Sequence, residues 1–475
     1  MRIAALLLPL LCAAGCATFR SYDSELTRTV NLAEVGQVQS ALDTLDKNNR
    51  LGSKDLLYYL EKGELLRLEG QYENSQTAWF KADAHVQKWE DEVRLSPDRL
   101  LADVGSFLLN DRLRPYEGAD FEKVMLTTRM ALNHVALGEW DNARVAIKRT
   151  HEREAVIAEF RDKEVYEVEQ QARKRGIKPS FKELNGYPVE TIDSPEVNAL
   201  KNGYQSAFSH YLAGFVYEAL GEPSLAAAGY RLAIELHPGV PLLEKSLEGL
   251  DARVADLSSD RTELLVVIES GFAPGRVSRK FTLPFPTYHG LVLLPISVPV
   301  LREANPVPRI EAIDLDGVSG GEVPMLTSLD LMARRELRDE MPGILLRTIG
   351  RAISRGVLQY ETQRRADNRA DVGSALVSAL TMIGSVVVEQ ADERSWRTLP
   401  AEIAVARVSV APGRHKLALR TASGQHDFEV NVGGRYALVC VRLVGSRAFL
   451  LAPEGAASDL PTAQGAAATA RVGLR

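Results

Sequence analysis

The sequence predicts an N-terminal α-helical solenoid followed by a mixed α/β region with antiparallel strands. Three observations predict it. Three segments of the first half share one spacing of small, glycine and large side chains. The helical period stops after residue 255, and seven prolines then fall between Pro274 and Pro308. Alternating apolar and polar runs with turn residues between them close the chain before residue 452.

The 475 residues carry 57 Lys and Arg against 63 Asp and Glu, 45% hydrophobic residues and 25% charged ones. That is a globular composition, neither a polytopic membrane protein nor a wholly disordered chain. A net charge of -6 leaves no electrostatic footprint for nucleic acid.

Arg2 begins the chain, residues 3–11 (IAALLLPLL) form an apolar run, and Ala13-Ala14-Gly15 precede Cys16. The run has the length of a signal-peptide core and is too short to span a bilayer. Small residues before Cys16 resemble the bacterial lipobox, with Ala13 where Leu is usual. The resemblance implies that residues 1–15 are removed and that Cys16 is acylated, as by palmitate. Ala17 in place of Asp implies the outer membrane, with the body facing the periplasm. Of three cysteines, Cys12 leaves with the signal and Cys16 is lipidated, so Cys440 stands alone and no disulfide framework forms.

In residues 16–255, Gly63, Ala131 and Gly214 are followed seven residues later by Gly70, Gly138 and Gly221, and twelve later by Ser75, Ala143 and Ala226. Trp79, Ile147 and Tyr230 stand sixteen later; Tyr72, Trp140 and Tyr217 add aromatic bulk, and the third copy ends at Ala233 and Pro238. Small residues let antiparallel helices cross closely, glycine makes the turn, and the large side chains fill the holes. The pattern resembles the tetratricopeptide repeat. Ser75, Pro223 and Thr150 depart from it. The 68 residues from Gly63 to Ala131 are two periods of 34, so residues 85–118 are expected to hold a degenerate helical pair. Residues 151–175 read as a charged helix and 176–203 as an inserted loop. Such a solenoid presents a concave groove suited to peptides or partner helices.

Residues 256–400 read as a mixed region. It holds a strand at 263–269, proline-rich edge strands, a hairpin turning at Asp316-Gly317 or Gly320-Gly321, and a long helix from Ser328 to Arg365. Residues 372–388 are seventeen uncharged residues in a row. Gly373, Ser374, Ser378, Gly384 and Ser385 suit close packing and favour a buried helix over a membrane span. Residues 401–452 read as a small antiparallel β region whose Pro412-Gly413-Arg414-His415 resembles the turn of PEGA-type surface domains. Residues 453–475 have a disordered composition.

YEGADFEKVM (116–125), ALGEWDNARV (136–145), the 211–238 repeat and ADERSWRTLP (391–400) together resemble a poorly characterised family of bacterial envelope lipoproteins with tetratricopeptide-like repeats. The resemblance implies partners among envelope proteins, in cell-wall synthesis or outer-membrane assembly.

Gly317-Val318-Ser319-Gly320-Gly321 matches GxSxG, but Glu322-Val323-Pro324 would spoil the helix a nucleophile elbow requires. Asp314 and Asp316 could hold a cation on a strand edge. The eight histidines show no HExxH or paired spacing, and His210 with Tyr211 reads as structural. Arg347, Arg351 and Arg355 form a stripe at i, i+4 and i+8 available to an acidic partner or lipid phosphates. Trp396 reads as a packing anchor between Arg394 and Arg397. The expectation is a non-enzymatic scaffold or regulator with no cofactor or metal, binding an envelope protein in its groove. The alternatives are a hydrolase built on Ser319 or the Asp314 and Asp316 pair, and an assembly subunit inserting residues 372–388.

Overall fold

Helical hairpins built on the repeat spacing open the structure. A computed structural model describes residues 22–50, 54–98, 101, 114–256, 259–287, 290–303, 306–367, 390–451 and 457–459, with side chains described outside 284–294, 354–367 and 457–459. The signal run, Cys16, residues 372–388 and nearly all of the tail lie outside the described residues.

The three expected repeats are hairpins of α3 (Leu56–Leu68) with α4 (Tyr72–Leu95), α5 (Asp120–Ala136) with α6 (Trp140–Arg175), and α8 (Ala207–Ala219) with α9 (Pro223–Leu236). A further hairpin precedes them, α1 (Tyr22–Glu34) with α2 (Val38–Asn48). Its Thr29, Gly36, Ala41 and Leu45 repeat the spacing 34 residues before Gly63. The sequence reading missed it because a threonine fills the small-residue place.

A Cβ on Gly63 would overlap the Trp79 ring, and one on Gly214 would lie 2.5 Å from the Tyr230 ring. Gly70, Gly138 and Gly221 turn at φ +72, +76 and +72°, a conformation that costs a side chain dearly. The departures have local reasons. Ser75 Oγ donates to the Gly63 carbonyl at 2.7 Å, Thr150 Oγ1 donates to Thr127 Oγ1 at 2.8 Å, and Pro223 occupies the first helical turn, where its missing N–H is not needed.

One expectation is corrected: residues 85–95 continue α4 instead of beginning a new helical pair, and 99–100 and 102–113 of that expected pair lie outside the described residues. Residues 151–175 are helical as expected, continuing α6, which ends on Gly176 at φ +63°. The inserted loop contains α7 (Pro195–Ala199) and buries Ile177, Phe181, Leu184, Tyr187, Ile192 and Val197. Short helices α10 (Pro241–Glu248) and α11 (Leu250–Ala255) end the helical region.

Two five-stranded sheets follow. The first runs β11 (Arg447–Leu451), β10 (Tyr436–Val444), β1 (Thr262–Ser270), β7 (Glu402–Val410), β6 (Met325–Ser328); β1 and β10 are parallel and the other pairs antiparallel. The second runs β12 (Ala457–Asp459), β9 (Gly424–Val432), β8 (Gly413–Thr421), β4 (Ile310–Leu315), β5 (Val318–Ser319). Residues 401–452 are therefore not a unit apart, because β7 and β10 flank β1 on both sides. Pro412 lies in the crossover from the first sheet to the second; the hairpin on its far side is β8–β9. A separate ribbon pairs β2 (Arg276–Thr287) with β3 (Gly290–Leu301). The long helix α12 (Leu329–Asp367) packs along β3.

Strand alternation sets the layers. Leu264, Val266 and Ile268 of β1 meet Ile313, Leu417, Leu419 and Phe428 of the second sheet. Leu265 and Val267 face the helices. The same parity sends Glu263 and Glu269 of β1, Arg407 of β7 and Arg442 of β10 into the helical layer.

Candidate interaction groove

The first helices of the hairpins, α3, α5 and α8, line the concave side of the solenoid. All seventeen residues of α5 are buried, as are eleven of the thirteen in α3 and twelve of the thirteen in α8. The groove that the sequence offers to a partner is filled by the chain's own second half.

Residues 391–400 form its central filling. Trp396 is fully buried, its ring 6.2 Å from that of Trp79 in T-shaped contact. Glu122 Oε1 accepts from the Trp396 N–H at 2.7 Å, and the two oxygens of Glu61 accept from the Arg397 and Thr398 N–H groups at 2.7 and 3.1 Å. This is the main-chain recognition a groove uses on an extended peptide, satisfied within one chain. Burial pushes the Glu61 carboxyl up to about 7, despite those donors. Arg394 closes on Asp392 at 2.7 Å, and Arg397 reaches Thr27 Oγ1 at 2.8 Å and Asp23 at 3.3 Å.

Beside the segment, β1 and β10 enter the groove with charge. Glu269 is paired with Arg67 at 2.9 Å and with Arg129; Arg129 also holds Glu64. Burial works to raise Glu269, but Arg129 and Arg67 outweigh it and bring it down to about 2. Arg442 donates to the carbonyls of Gly271 and Thr398 at 2.8 and 2.9 Å, and burial lowers it to about 10. Cys440 is free and buried among these groups, with its thiol pushed up to about 12 by burial.

A second cluster lies at the third hairpin. Glu218 accepts from Arg407 at 2.6 Å, Arg253 at 2.7 Å and Tyr230 Oη at 2.6 Å. Burial opposes its ionisation, yet Arg253 and Arg407 bring it down to about 2. Tyr217 and Tyr230 are therefore core residues and unsuited to contact a partner.

The missed residues share a readable position. Arg67 and Glu218 each stand four residues after the small residue of their repeats, and Glu61 and Arg129 two before it. Charges on the inner face of a solenoid helix signal a polar partner. That the partner is this chain is not written locally.

The other candidates are dispersed. Arg351 is buried and bonds Thr348 at 3.1 Å, Arg347 is half-buried, and the Arg355 side chain lies outside the described residues, so the stripe is not a solvated basic face. The cause is the packing of α12 between β3, α6 and α7. Asp314 pairs with Arg420 at 3.0 Å across β4–β8. Ser319 is exposed at the end of β5, after the two-residue turn whose Asp316 and Gly317 have φ 51 and 80°, and β6 follows instead of a helix. His415 turns Nδ1 to Asp316 and Nε2 to the Ala411 carbonyl, each at 2.7 Å, so neither ring nitrogen is directed at Ser319. His210 is buried, stacked 5.2 Å from His151, with Nε2 3.2 Å from Glu154 without hydrogen-bond geometry. Among the described residues, no group of three metal-ligating side chains stands together and no helix is long and apolar enough to cross a membrane.

No family model and no curated protein matches the chain. Among solved structures it is similar to a tetratricopeptide repeat protein from Parabacteroides merdae at 12% identity, over 48% of this chain and 98% of that one, with a TM-score of 0.14. A superposition that poor carries no argument about fold or function. The tetratricopeptide-like character of the helical region rests on the repeated hairpins, their glycine turns and their small-against-large crossings.

Proposed function

We propose that this chain is a lipoprotein scaffold or regulator of the bacterial envelope, tethered through Cys16 to the outer membrane and binding an envelope protein on the outward faces of its hairpins. One observation carries the choice of surface: the concave groove is already filled by residues 391–400 and the first sheet. A partner is left the second helices. Phe80 on α4, Val145 on α6 and Leu225 on α9 are 52, 58 and 46% exposed, and Val165 and Tyr166 on α6 stand 55 and 64% exposed. Exposed apolar side chains on a rigid helical face are the composition of a protein contact. The lipobox supports the tether, and the resemblance to envelope lipoproteins supports the setting. The role is one of binding and not of catalysis.

Photo-crosslinkers placed in cells at Phe80, Val145 and Leu225 test the reading. The expected result is a discrete envelope protein captured from these positions, lost when Cys16→Ala releases the chain from the membrane. Crosslinks equal to those from an exposed control on β8 would overturn it.

A further inference from the structure

The two five-stranded sheets end differently. Helices close on both edges of the first: the α1–α2 turn meets Arg447 of β11, while in β6 Thr327 Oγ1 accepts from the Phe208 N–H at 3.0 Å and the Leu326 carbonyl accepts from His237 at 3.2 Å. The second sheet ends on one side in the two-residue β5. On its other side β9 runs for nine residues, and among the described residues its outer edge pairs only with the three of β12, opposite 428–430. A strand of three residues is a weak cover.

The register shows which backbone groups that edge offers. A two-residue turn joins Thr421 to Gly424, so these two exchange both ladder bonds, and by parity His426, Phe428, Val430 and Val432 also bond to β8. The other side of β8 agrees: the Lys416 carbonyl accepts from the Asp316 N–H at 2.9 Å. Gln425, Asp427, Glu429 and Asn431 therefore direct N–H and C=O groups away from β8. β12 meets that row at Glu429, through Ser458. Such a row is a template for a further strand.

Side chains select the strand. Phe428, Val430 and Val432 turn into the core between the sheets, so alternate residues of an added strand lie at an apolar margin. On the outer face Gln425 and Asn431 are exposed, Asp427 and Glu429 are half-buried, and β9 has no Lys or Arg. Asp427 pairs with Lys416 at 2.9 Å, and the register sets Lys416 opposite Glu429, so one lysine stands by two carboxylates. Lys or Arg on the outer face of an added strand gains a favourable cross-strand pairing with them. A second copy does not: β9 paired with itself about Phe428 sets Asp427 against Glu429.

We infer that the outer edge of β9 is a strand-addition site for an extended segment of a partner protein in which basic residues alternate with apolar ones, taking the place of β12. The surface is separate from the outward hairpin faces, and its evidence does not rest on the proposed function. In cells the two are told apart by position: a crosslinked product formed from β8 and β9 but not from Phe80, Val145 or Leu225 belongs to this edge.

The test uses the full chain in detergent with Cys12→Ala and Cys16→Ala, and fluorescent peptides that alternate Lys with Val or Glu with Val, long enough to run from Gln425 to Asn431. Anisotropy should show the Lys peptide bound about tenfold or more tighter than the Glu peptide. Asp427→Lys with Glu429→Lys should reverse that order. The lysines lie opposite the outward-bonding residues of β9, so N-methylation at Lys should abolish binding and N-methylation at Val should leave it. Ser458→Pro, which removes the donor of β12 to Glu429, should bind the Lys peptide about fivefold tighter. Cys440 that stays unreactive reports that the body of each variant is folded. Lys and Glu peptides that bind alike or not at all, binding indifferent to where the methyl groups stand, or an unchanged Ser458→Pro variant overturns the inference and leaves the hairpin-face reading untouched.

Discussion

Arg129 of α5 and Glu269 of β1 form an ion pair with both side chains at 0% exposure, joining the second repeat to the central strand of the first sheet. The pair belongs to a cluster with Arg67, Glu64 and Arg442 in which three hairpin charges meet two strand charges out of water. The helical repeats and the sheets are one wired body.

Removing one member leaves its partners buried and uncompensated. Glu269→Gln should cost about 3–5 kcal/mol and unfold helices and sheets in one transition, measured by urea unfolding followed by circular dichroism. A variant that loses less than about 1 kcal/mol, or separates two transitions, counts against the wiring.

Stability should peak in mildly acidic solution. Glu218, Glu269 and Asp120 are brought down to about 2 in the fold, so the stability they contribute is present above the ordinary carboxylate range and is lost as pH falls towards 2. Glu61 runs the other way: raised from 4.5 to about 7, it contributes stability that is full below 4.5 and lost as pH rises through about 7. That loss, spread between pH 4.5 and about 7, is about 3 kcal/mol at most. Thermal melts from pH 5 to 9 should decline less for Glu61→Gln than for the parent.

Small residues at the helix crossings should resist enlargement. Gly63→Ala and Gly214→Ala, against Trp79 and Tyr230, should each destabilise by about 1–3 kcal/mol in chemical denaturation. Gly70→Ala meets no atom within 4 Å, and its cost of about 1 kcal/mol should come from φ +72° alone.

Trp396→Ala should lose about 3–5 kcal/mol, because its ring is fully buried and packs against Trp79 of α4. Denaturant midpoints would show it. A free peptide covering residues 391–400 should bind this variant and not the parent, whose groove is full.

Cys440 should be silent to alkylating reagents in the folded protein and react fully on unfolding, since its thiol is buried and raised to about 12. Mass spectrometry with and without denaturant reads this directly.

Much of the helical region is legible in the chain because a hairpin is a local object. Gly70, Gly138 and Gly221 turn where the spacing puts them, and Ala143 and Ala226 are fully buried at the crossings. The first hairpin carries the same spacing and escaped notice only because Thr29 is not obviously small. Strand alternation likewise foretells which side of β1 carries Glu269.

What the sequence could not decide is what occupies the groove. Glu61 accepts backbone N–H groups more than 330 residues further along the chain, and Arg129 meets a glutamate 140 residues away. Such contacts depend on how the chain returns on itself, and no spacing within one element encodes that return. The repeats by themselves specify the shape of a binding groove. Only the tertiary structure shows that the protein fills it from within, because backbone donors and buried charges must find partners when sheet and solenoid close on each other.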